Sequence, residues 1–484
     1  MDTTVRIEKK EPGDKDNTNG ESADSLLRQA ATSSPEVIAF ADPPNRADFG
    51  IGPAQRVTFA EADALATRVA AGFADHGLEA GDTIAFQLPN TWESALIMIA
   101  AWRARLIAVP MPMMWRLNEL HHAVAQIDPK AIITVGRFAG HDHAATMREA
   151  AAQHISVRYI FGLGAELCDG ITPINDWLES DPRGEADVQT VRAGSANDVA
   201  LMTWAASTSG VHPVPRTHAE LLAVGRVAVA ALQLTNADVL LNAYPLTGIA
   251  AVAGQLIAAM LTSAPLNFHL PFDYDTFVTQ LREERVSYTA VPAPVIAALA
   301  ERGDMAEPGL ALTRIGCVRT LPSDLESGDA LAGFPVPVYT IHNLAELALI
   351  IACENADQPA ALPLGELFAT DTGTHGEGYL ETRVRGSVAG NDAGQRLEGE
   401  LFVRGPTVPG GGLDRAGALT QMLLLKDAQG YLNTRIPCYI DDTMEGNFRC
   451  RRNSELLYHG GVAVPAAELD KTYAEYPEFL DAAA

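Results

Sequence analysis

The sequence predicts an α/β fold built on mostly parallel sheets that helices cover on both faces. Apolar residues recur at three- and four-residue spacing in 59–78, which is typical of an amphipathic helix. Short apolar runs and helical stretches then alternate as far as residue 135. This alternation predicts βαβ units, because parallel neighbouring strands need a helical crossover between them.

The elements can be assigned in chain order. After helix 59–78, the pattern predicts strand 82–88, helix 91–106, strand 107–112, helix 118–129 and strand 130–135. A similar order resumes near residue 200, with strand 199–204, a helix from Ala219, strand 238–246, a buried helix over 249–263 and further elements over 277–303. From about residue 360, short strands punctuated by Gly and Pro (378–386, 398–406 and 446–452) predict a smaller β unit.

Composition and charge exclude several classes of function. The chain has 35 basic and 61 acidic residues, a net charge of −26 that repels nucleic acid and anionic membranes. The N-terminus lacks the apolar core of a signal peptide, and no run of eighteen apolar residues follows. Five scattered cysteines without a CxxC pair indicate neither a disulfide framework nor a zinc site. We therefore expect a cytoplasmic protein with no nucleic-acid partner, no membrane partner and no metal centre.

Four motifs occur in an order that resembles a known family. They are the stretch 59–112, "VPRTH" (214–218), "EGELFVRGPTVPGGG" (398–412) and "GGVAVPAAELD" (460–470). Together they resemble the adenylate-forming (ANL) superfamily of acyl-CoA synthetases and aryl-acid–AMP ligases, and within it the dihydroxybenzoate–AMP ligase branch. The resemblance implies the large ANL N-terminal domain, with two βαβ subdomains and a smaller β-barrel-like subdomain, followed by a lid.

The resemblance also implies a domain division. We expect a disordered leader (1–25), α/β subdomains over 26–200 and 201–355, a small β subdomain over 356–450 and a truncated lid remnant over 451–484. The family joins a carboxylate to the α-phosphorus of Mg·ATP and then passes the acyl group to a nucleophile. That chemistry needs glycines and a lysine around the phosphates, an acid for magnesium and a carboxylate for the ribose.

The phosphate-loop motif has lost most of these groups. When the shared Pro-Arg-Thr-His is aligned, Ser207 and Thr208 keep the two hydroxyls. The glycines become Ala205, Ala206 and Ser209, and the lysine becomes His212. Added β-carbons keep the backbone away from phosphates, and an imidazole carries only part of a charge at neutral pH. The sequence therefore predicts a relic of an ATP-binding loop.

The motifs for adenine and magnesium are also altered. In "GCVRTLPSDL" (316–325), Cys317 and Arg319 replace a glycine and an alanine of the adenine wall. In "YTIHNLAELALI" (339–350), Glu346 takes the place of the magnesium-binding acid, while His342 and Asn343 replace an aromatic residue and a glycine. A glutamate at a helix start would be favourable without any metal.

The ribose acid and the lid residues differ most. In "GYLNTRIPCYIDD" (430–442), Thr434 is kept, but Ile436 replaces the ribose-binding aspartate. Arg452 aligns with the arginine before the hinge, although Arg451 could take its place, and no Gly-Lys motif follows. In the aryl-acid motif (240–254), Asn242 and Ala243 replace the His-Asn pair, whereas Tyr244 persists.

Three interpretations follow. The first is an ANL homologue with a degraded ATP site and no expected cofactor, repurposed for ATP-independent chemistry on, or binding of, a small anionic aryl or acyl acid. Its candidate catalytic residues are His212, His342 and Arg319, with Asn242, Tyr244, Cys317 and Asn343 in the substrate pocket. The second is a truncated but working aryl- or acyl-acid ligase that uses ATP and Mg²⁺. The third is a non-catalytic subunit that binds a protein partner or forms a homodimer.

Overall fold

The computed structural model describes residues 21–179, 194–207, 210–269, 271–306, 309–319, 334–353, 362–368, 378–391, 394–410, 424–441, 444, 446–451, 456–459, 462–466 and 469. Thr208, Arg452, the first twenty residues of the predicted leader and most of the predicted lid remnant lie outside these ranges.

The helices follow the predicted periodicity. The α-helices are α1 (Ala23–Ser33), α2 (Phe59–Asp75), α3 (Trp92–Arg103), α4 (Leu117–Ile127), α5 (His143–Ala151), α6 (Asn175–Glu179), α7 (His218–Ala231), α8 (Ile249–Ala251), α9 (Ala258–Thr262), α10 (Tyr274–Glu283) and α11 (Ala293–Glu301). A π-helical stretch, Val252–Ile257, joins α8 to α9, so 249–262 is one continuous helical segment. Helix α2 begins after Thr58, whose hydroxyl accepts from the Glu61 N–H at 3.2 Å in a capping box.

The strands alternate with these helices and then follow one another. The first group is β1 (Ile38–Ala41), β2 (Arg56–Thr58), β3 (Thr83–Gln87), β4 (Ile107–Pro110), β5 (Ala131–Val135), β6 (Arg137–Phe138), β7 (His141–Asp142), β8 (Tyr159–Leu163), β9 (Thr172–Pro173), β10 (Val199–Ser207), β11 (Gly210–Thr217), β12 (Leu240–Asn242) and β13 (Leu266–Phe268). The second group is β14 (Tyr288–Val291), β15 (Arg314–Arg319), β16 (Val338–Leu344), β17 (Ala348–Cys353), β18 (Leu362–Pro363), β19 (Gly365–Leu367), β20 (Leu380–Asn391), β21 (Gly394–Arg404), β22 (Leu432–Asp441), β23 (Asn447–Cys450), β24 (Leu456–His459) and β25 (Val462–Pro465).

Two sheets with parallel interiors form the body of the described chain. The first sheet has the order β11-β10-β4-β3-β5-β8-β9, and only the β10–β11 pair is antiparallel. The second has the order β17-β16-β15-β14-β12-β13-β1-β2, with antiparallel pairs at both edges. The predicted βαβ organisation is therefore confirmed.

Helices fill the space between the two sheets and cover their outer faces. The largest apolar core joins both sheets to α1, α2, α3, α7 and the segment 249–262, which we call the central helical layer. A second core packs α4 and α5 on the outer face of the first sheet. A third packs α10 and α11 on the outer face of the second sheet. The result is a five-layer α/β/α/β/α arrangement.

The third sheet is small and antiparallel, in the order β18-β23-β22-β21-β20-β19. Its hairpin β20–β21 has strands of 12 and 11 residues, longer than the short strands that the sequence predicts. The sheets do not follow chain order strictly. The early strands β1 and β2 belong to the second sheet, whereas β10 and β11, near and after residue 200, belong to the first. In the described ranges no helix is both long enough and apolar enough to cross a membrane.

Candidate active site

The parallel strands of the second sheet end at a common edge. Strand β12 ends at Asn242, β15 at Arg319 and β16 at Leu344. Ligands of open α/β sheets bind outside the carboxyl ends of the strands. This edge therefore holds the candidate site, and most of the sequence-predicted pocket residues lie at it or just beyond it.

The register divides those residues between the two faces of the sheet. Asn242 pairs with Ala290, and Ala290 pairs with Gly316. Ala290 belongs to the core of the central helical layer, so these positions form the central face. Cys317 belongs to the core beneath α10 and α11, and side chains alternate along a strand, so Cys317 and Arg319 lie on the outer face.

His342 lies with Arg319 on the outer face. The two residues are register partners in the parallel pair β15–β16, and Arg319 is only 1% exposed. Burial, reinforced by the nearby Arg319 guanidinium, lowers the pKa of His342 to about 3. The imidazole is therefore neutral at pH 7 and is too weak a base for a catalytic residue that would accept a proton at neutral pH.

Glu346 lies in the turn that connects β16 to β17. The Leu347 N–H donates to the Leu344 carbonyl at 2.9 Å, and the two residues between them, Ala345 and Glu346, have φ values of 52° and 61°. Non-glycine residues in the left-handed region cost roughly 1–2 kcal/mol each, and such strain concentrates at functional sites. No helix starts at Glu346 itself, because the chain reverses here in the hairpin β16–β17.

The Glu346 carboxylate nevertheless lies at the start of the helical segment 249–262. Its Oε2 accepts from the Ile249 N–H at 2.8 Å, and its Oε1 accepts from the Asn343 side-chain amide. A β-carbon on Gly248 would lie 2.9 Å from Oε1, so a larger residue there would displace the carboxylate from this position. Asn343 and Glu346 are thus brought together on the central face.

Burial raises the pKa of Glu346 above its ordinary value. The Asn343 amide, the Ile249 N–H, the Arg216 guanidinium and the Thr203 hydroxyl each act in the opposite direction. The carboxylate is therefore a buried acceptor surrounded by donors, which suits a ligand that brings a cation or a further donor.

The hairpin β10–β11 contains the residues that align with the phosphate-loop motif of the family. Ser207 pairs with Gly210, and its hydroxyl donates to the Gly210 carbonyl at 3.2 Å. Trp204 turns to the other face, where its indole N–H donates to the Pro110 carbonyl at 2.9 Å. The hydroxyl and the indole are both engaged by protein groups.

His212 points to the same side of this hairpin as Thr203. It pairs with Ala205, and Thr203 pairs with Val214, so the four side chains share the face that contacts the Glu346 turn. Burial lowers the pKa of His212, which is 6% exposed. His212 therefore lies on the side of the site where Glu346 is, whereas His342 and Arg319 lie behind the sheet.

Arg216 belongs to this site but is not among the residues that the sequence predicts for it. Its guanidinium is fully buried and donates to the Thr407 carbonyl at 2.8 Å, to the Glu346 carbonyl at 2.7 Å and to the Leu347 carbonyl at 2.9 Å. It thereby ties the hairpin and the small sheet to the Glu346 turn. The sequence signal for this role was the arginine of the "PRTH" motif. A buried cation needs several acceptors, so it joins the segments that supply them.

The substrate-pocket residues take separate places. Asn242 lies on the central face, and its Oδ1 accepts from the Tyr244 N–H at 3.0 Å. Tyr244 is partly buried against the central helical layer. Cys317 is fully buried beneath the outer-face helices and therefore lies away from them.

The residues that align with the family's ribose motif, Thr434 and Ile436, lie on β22 of the small sheet. The Thr434 hydroxyl donates to the Leu401 carbonyl at 2.8 Å, and the Ile436 side chain packs against the apolar core of that sheet. Arg451 pairs with Glu398 across the sheet. Among the described residues, no group of three or more His, Cys, Asp or Glu side chains could hold a metal ion.

Comparison with known proteins decides the family. A model of the family described as AMP-binding enzyme matches residues 27–411. The chain belongs to the AMP-binding enzyme family. This confirms the resemblance to the ANL adenylate-forming superfamily. The relatives of this chain are ligases that join acyl or aryl acids to CoA or AMP.

Two curated relatives show how far the sequence of this AMP-binding family member has diverged from those of known ligases. The 4-coumarate–CoA ligase of Pinus taeda is 23% identical over 460 residues, which cover 92% of this chain and 80% of that enzyme. The salicyl-AMP ligase / salicyl-S-ArCP synthetase of Mycobacterium tuberculosis is 24% identical over 402 residues, covering 80% of this chain and 66% of that protein.

Solved structures of the same fold agree with the layers described above. The apo structure of MbtA from Mycobacterium smegmatis superposes with a TM-score of 0.70 at 24% identity, covering 96% of this chain and 82% of that one. The inhibitor-bound N-terminal domain of FACL13 from Mycobacterium tuberculosis gives 0.68 at 20% identity, covering 90% of this chain and all of that domain. The predicted ANL-type fold is confirmed.

Proposed function

We propose that this AMP-binding family member holds a small aryl or acyl acid on the central face of its second sheet and does not activate that acid with ATP. The proposal rests on Ile436. In the family motif this position carries the carboxylate that accepts from the ribose hydroxyls, and here an apolar side chain packs into the small sheet instead. Each ribose hydroxyl left without its acceptor weakens binding by about 1–3 kcal/mol.

The relic hairpin supports the same proposal. A triphosphate needs free backbone N–H groups and a fixed positive charge. In β10–β11 the Ser207 hydroxyl is used by Gly210, and the lysine is replaced by His212, whose pKa burial lowers. The nucleotide side of the site thus lacks the lysine of the family motif, while Asn242, Tyr244 and Asn343 remain the candidate residues for binding the acid.

Within this proposal, His212 is the imidazole that contacts the bound acid. Arg319 and His342 lie on the outer face, so they act on the ligand only through the strands that carry them. Cys317, on the same outer face, is a packing residue.

Acid-dependent ATP–pyrophosphate exchange tests the proposal. The full chain is assayed with a panel of aryl and acyl acids, and binding of the same acids is followed by the shift in thermal midpoint, because a ligand of the folded state raises it. We expect thermal shifts with one class of acid and no exchange with any. Exchange above background would reject the proposal.

A second candidate function, ATP-dependent acid–CoA or acid–AMP ligation, is favoured by Glu346. Its carboxylate remains at the magnesium-ligand position in a strained turn, and Mg²⁺ in such enzymes is held by one or two carboxylates together with substrate phosphates. Under this alternative, the wild type shows exchange, and Glu346→Gln reduces it by at least about tenfold.

A further inference from the structure

Two cysteines of the small sheet face each other on neighbouring strands. Cys438 of β22 is the register partner of Cys450 of β23, and the next pair along is Tyr439 with Arg449. The Arg451 N–H donates to the Pro437 carbonyl at 2.7 Å. These two residues flank the cysteine pair, so Cys438 and Cys450 form a non-hydrogen-bonded pair of the antiparallel ladder.

That geometry suits a disulfide. Non-hydrogen-bonded pairs have Cα atoms about 4.5 Å apart and side chains on the same side of the sheet. A disulfide requires Cα atoms roughly 4.4–6.8 Å apart and Cβ atoms about 3.5–4.5 Å apart. The two strands therefore need little movement to join their sulfur atoms.

Both thiols are reduced and enclosed. They are 2% and 7% exposed, belong to the apolar core of the small sheet and are free cysteines. Burial raises the pKa of Cys438 to about 12 and raises that of Cys450 as well, and Cys438 contributes to the second shift. The sulfur atoms are thus close enough to influence each other.

We propose that Cys438 and Cys450 are a redox site that a peroxide converts to a cross-strand disulfide. One thiol, as thiolate, attacks a peroxide oxygen; the O–O bond breaks, giving a sulfenic acid and one water. The second thiol attacks the sulfenyl sulfur, and the hydroxyl leaves as a second water. The two thiols lose two electrons and two protons, and hydrogen peroxide is reduced to two waters.

The bond has a structural consequence at the small sheet. It fixes β23 to β22, the strand that carries Ile436, and Arg451 follows Cys450 directly. Because the thiolate is the reactive form and burial disfavours it, oxidation is slower than at the exposed Cys353 and follows local opening of β23. The proposal does not depend on whether the protein uses ATP.

The test uses a full-length Cys168→Ser/Cys353→Ser variant, in which three of the five cysteines remain. The folded protein is treated with hydrogen peroxide, then denatured for thiol titration and digested without reduction for mass spectrometry. We expect the thiol count to fall from three to one, the mass to fall by two hydrogens and the Cys438 and Cys450 peptides to be linked.

Matched variants separate this pair from other oxidation. Adding Cys317→Ser should leave the linked peptides unchanged, whereas adding Cys438→Ser or Cys450→Ser should abolish them. Hydrogen exchange at the β23 amides should slow after oxidation and recover on reduction. Persistence of all three thiols, addition of oxygen without a link, or a link that joins another pair would overturn the proposal.

Discussion

The backbone conformation and hydrogen bonds of Glu346 are more specific than packing alone would require. Two successive non-glycine residues adopt left-handed backbone conformations to turn its carboxylate toward Ile249, and Gly248 leaves room for it. The motif alignment located this residue, because the acid is retained in the sequence. It also named Asn343, which precedes Glu346 by three residues, but it could not locate the Ile249 donor, because Ile249 lies 97 residues away.

The pH dependence of stability should report the environment of Glu346. Burial raises its pKa above 4.5, so the folded state keeps a proton that the unfolded state releases. This contribution is fully present below the unfolded pKa and is lost as pH rises through the folded pKa. The unfolding free energy of the wild type minus that of Glu346→Gln should therefore fall as pH rises from about 4 to about 8. Urea denaturation across that range measures it, and a difference that grows with pH would contradict this environment.

His342 should remain neutral over the physiological range. Its pKa is lowered to about 3 by burial and by Arg319, so the ring gains no proton near neutral pH. We expect its ring resonances, assigned by their loss in His342→Asn, to stay constant between about pH 5 and pH 8 in NMR spectra of histidine-labelled protein. A titration midpoint near the ordinary histidine pKa of about 6.5 would show that the His342 imidazole becomes protonated on the outer face and would contradict the prediction.

At the scale of elements, Arg216 joins the hairpin β10–β11 to its surroundings, in addition to the pairing of β10 with β4. Three carbonyl groups from the small sheet and the Glu346 turn accept from this one side chain. The partners lie 130 to 191 residues away in sequence, which is why no local pattern predicts them. The hairpin keeps its fold although its phosphate-binding groups have changed.

Removing the Arg216 guanidinium should destabilise the protein strongly. In Arg216→Met the stem is kept, but three buried carbonyl groups lose their donor, at a cost of about 3 kcal/mol or more. Arg226→Met is the matched control on α7, since the Arg226 side chain is 56% exposed and pairs with partly exposed Glu21. Chemical denaturation should give the control a change within about 0.5 kcal/mol, and equal losses in both variants would contradict the role of Arg216.

Hydrophobic periodicity predicted the elements well but did not predict the faces of the second sheet. The helices α2, α3 and α4 and the strands β3, β4 and β5 follow from spacing alone. Which residues line the pocket depends on strand register, where a shift of one position exchanges the two faces. Cys317, Arg319 and His342 were therefore grouped with Asn242 in the prediction, although the sheet separates them.

At the scale of the whole molecule, the five layers of the fold do not depend on the few residues of the nucleotide motifs. The cores use many residues, so they tolerate substitution, whereas phosphate and ribose binding depend on a few groups. The alignment could identify the changed groups one by one. It could not predict that Ile436 would find an apolar core to pack against, because that core is built from all the strands of the small sheet.

Placing a carboxylate at the position of the family's ribose acid should strengthen nucleotide binding. Ile436→Asp supplies an acceptor on β22, and two hydrogen bonds to a carboxylate predict at least about tenfold tighter Mg·ATP binding. Ile440→Asp is the control, because Ile440 is also partly buried against the small-sheet core on the same strand. Competition with a fluorescent ATP analogue measures both, and equal effects would contradict the assignment of the ribose position to residue 436.

Calorimetric titration of the unmodified chain with Mg·ATP is the most direct measurement, because the phosphate, adenine and ribose positions considered above all lie within residues 203–436. The proposed absence of ATP binding predicts no saturable heat at millimolar nucleotide. A saturable isotherm with one site per chain, lost on Glu346→Gln, would contradict it.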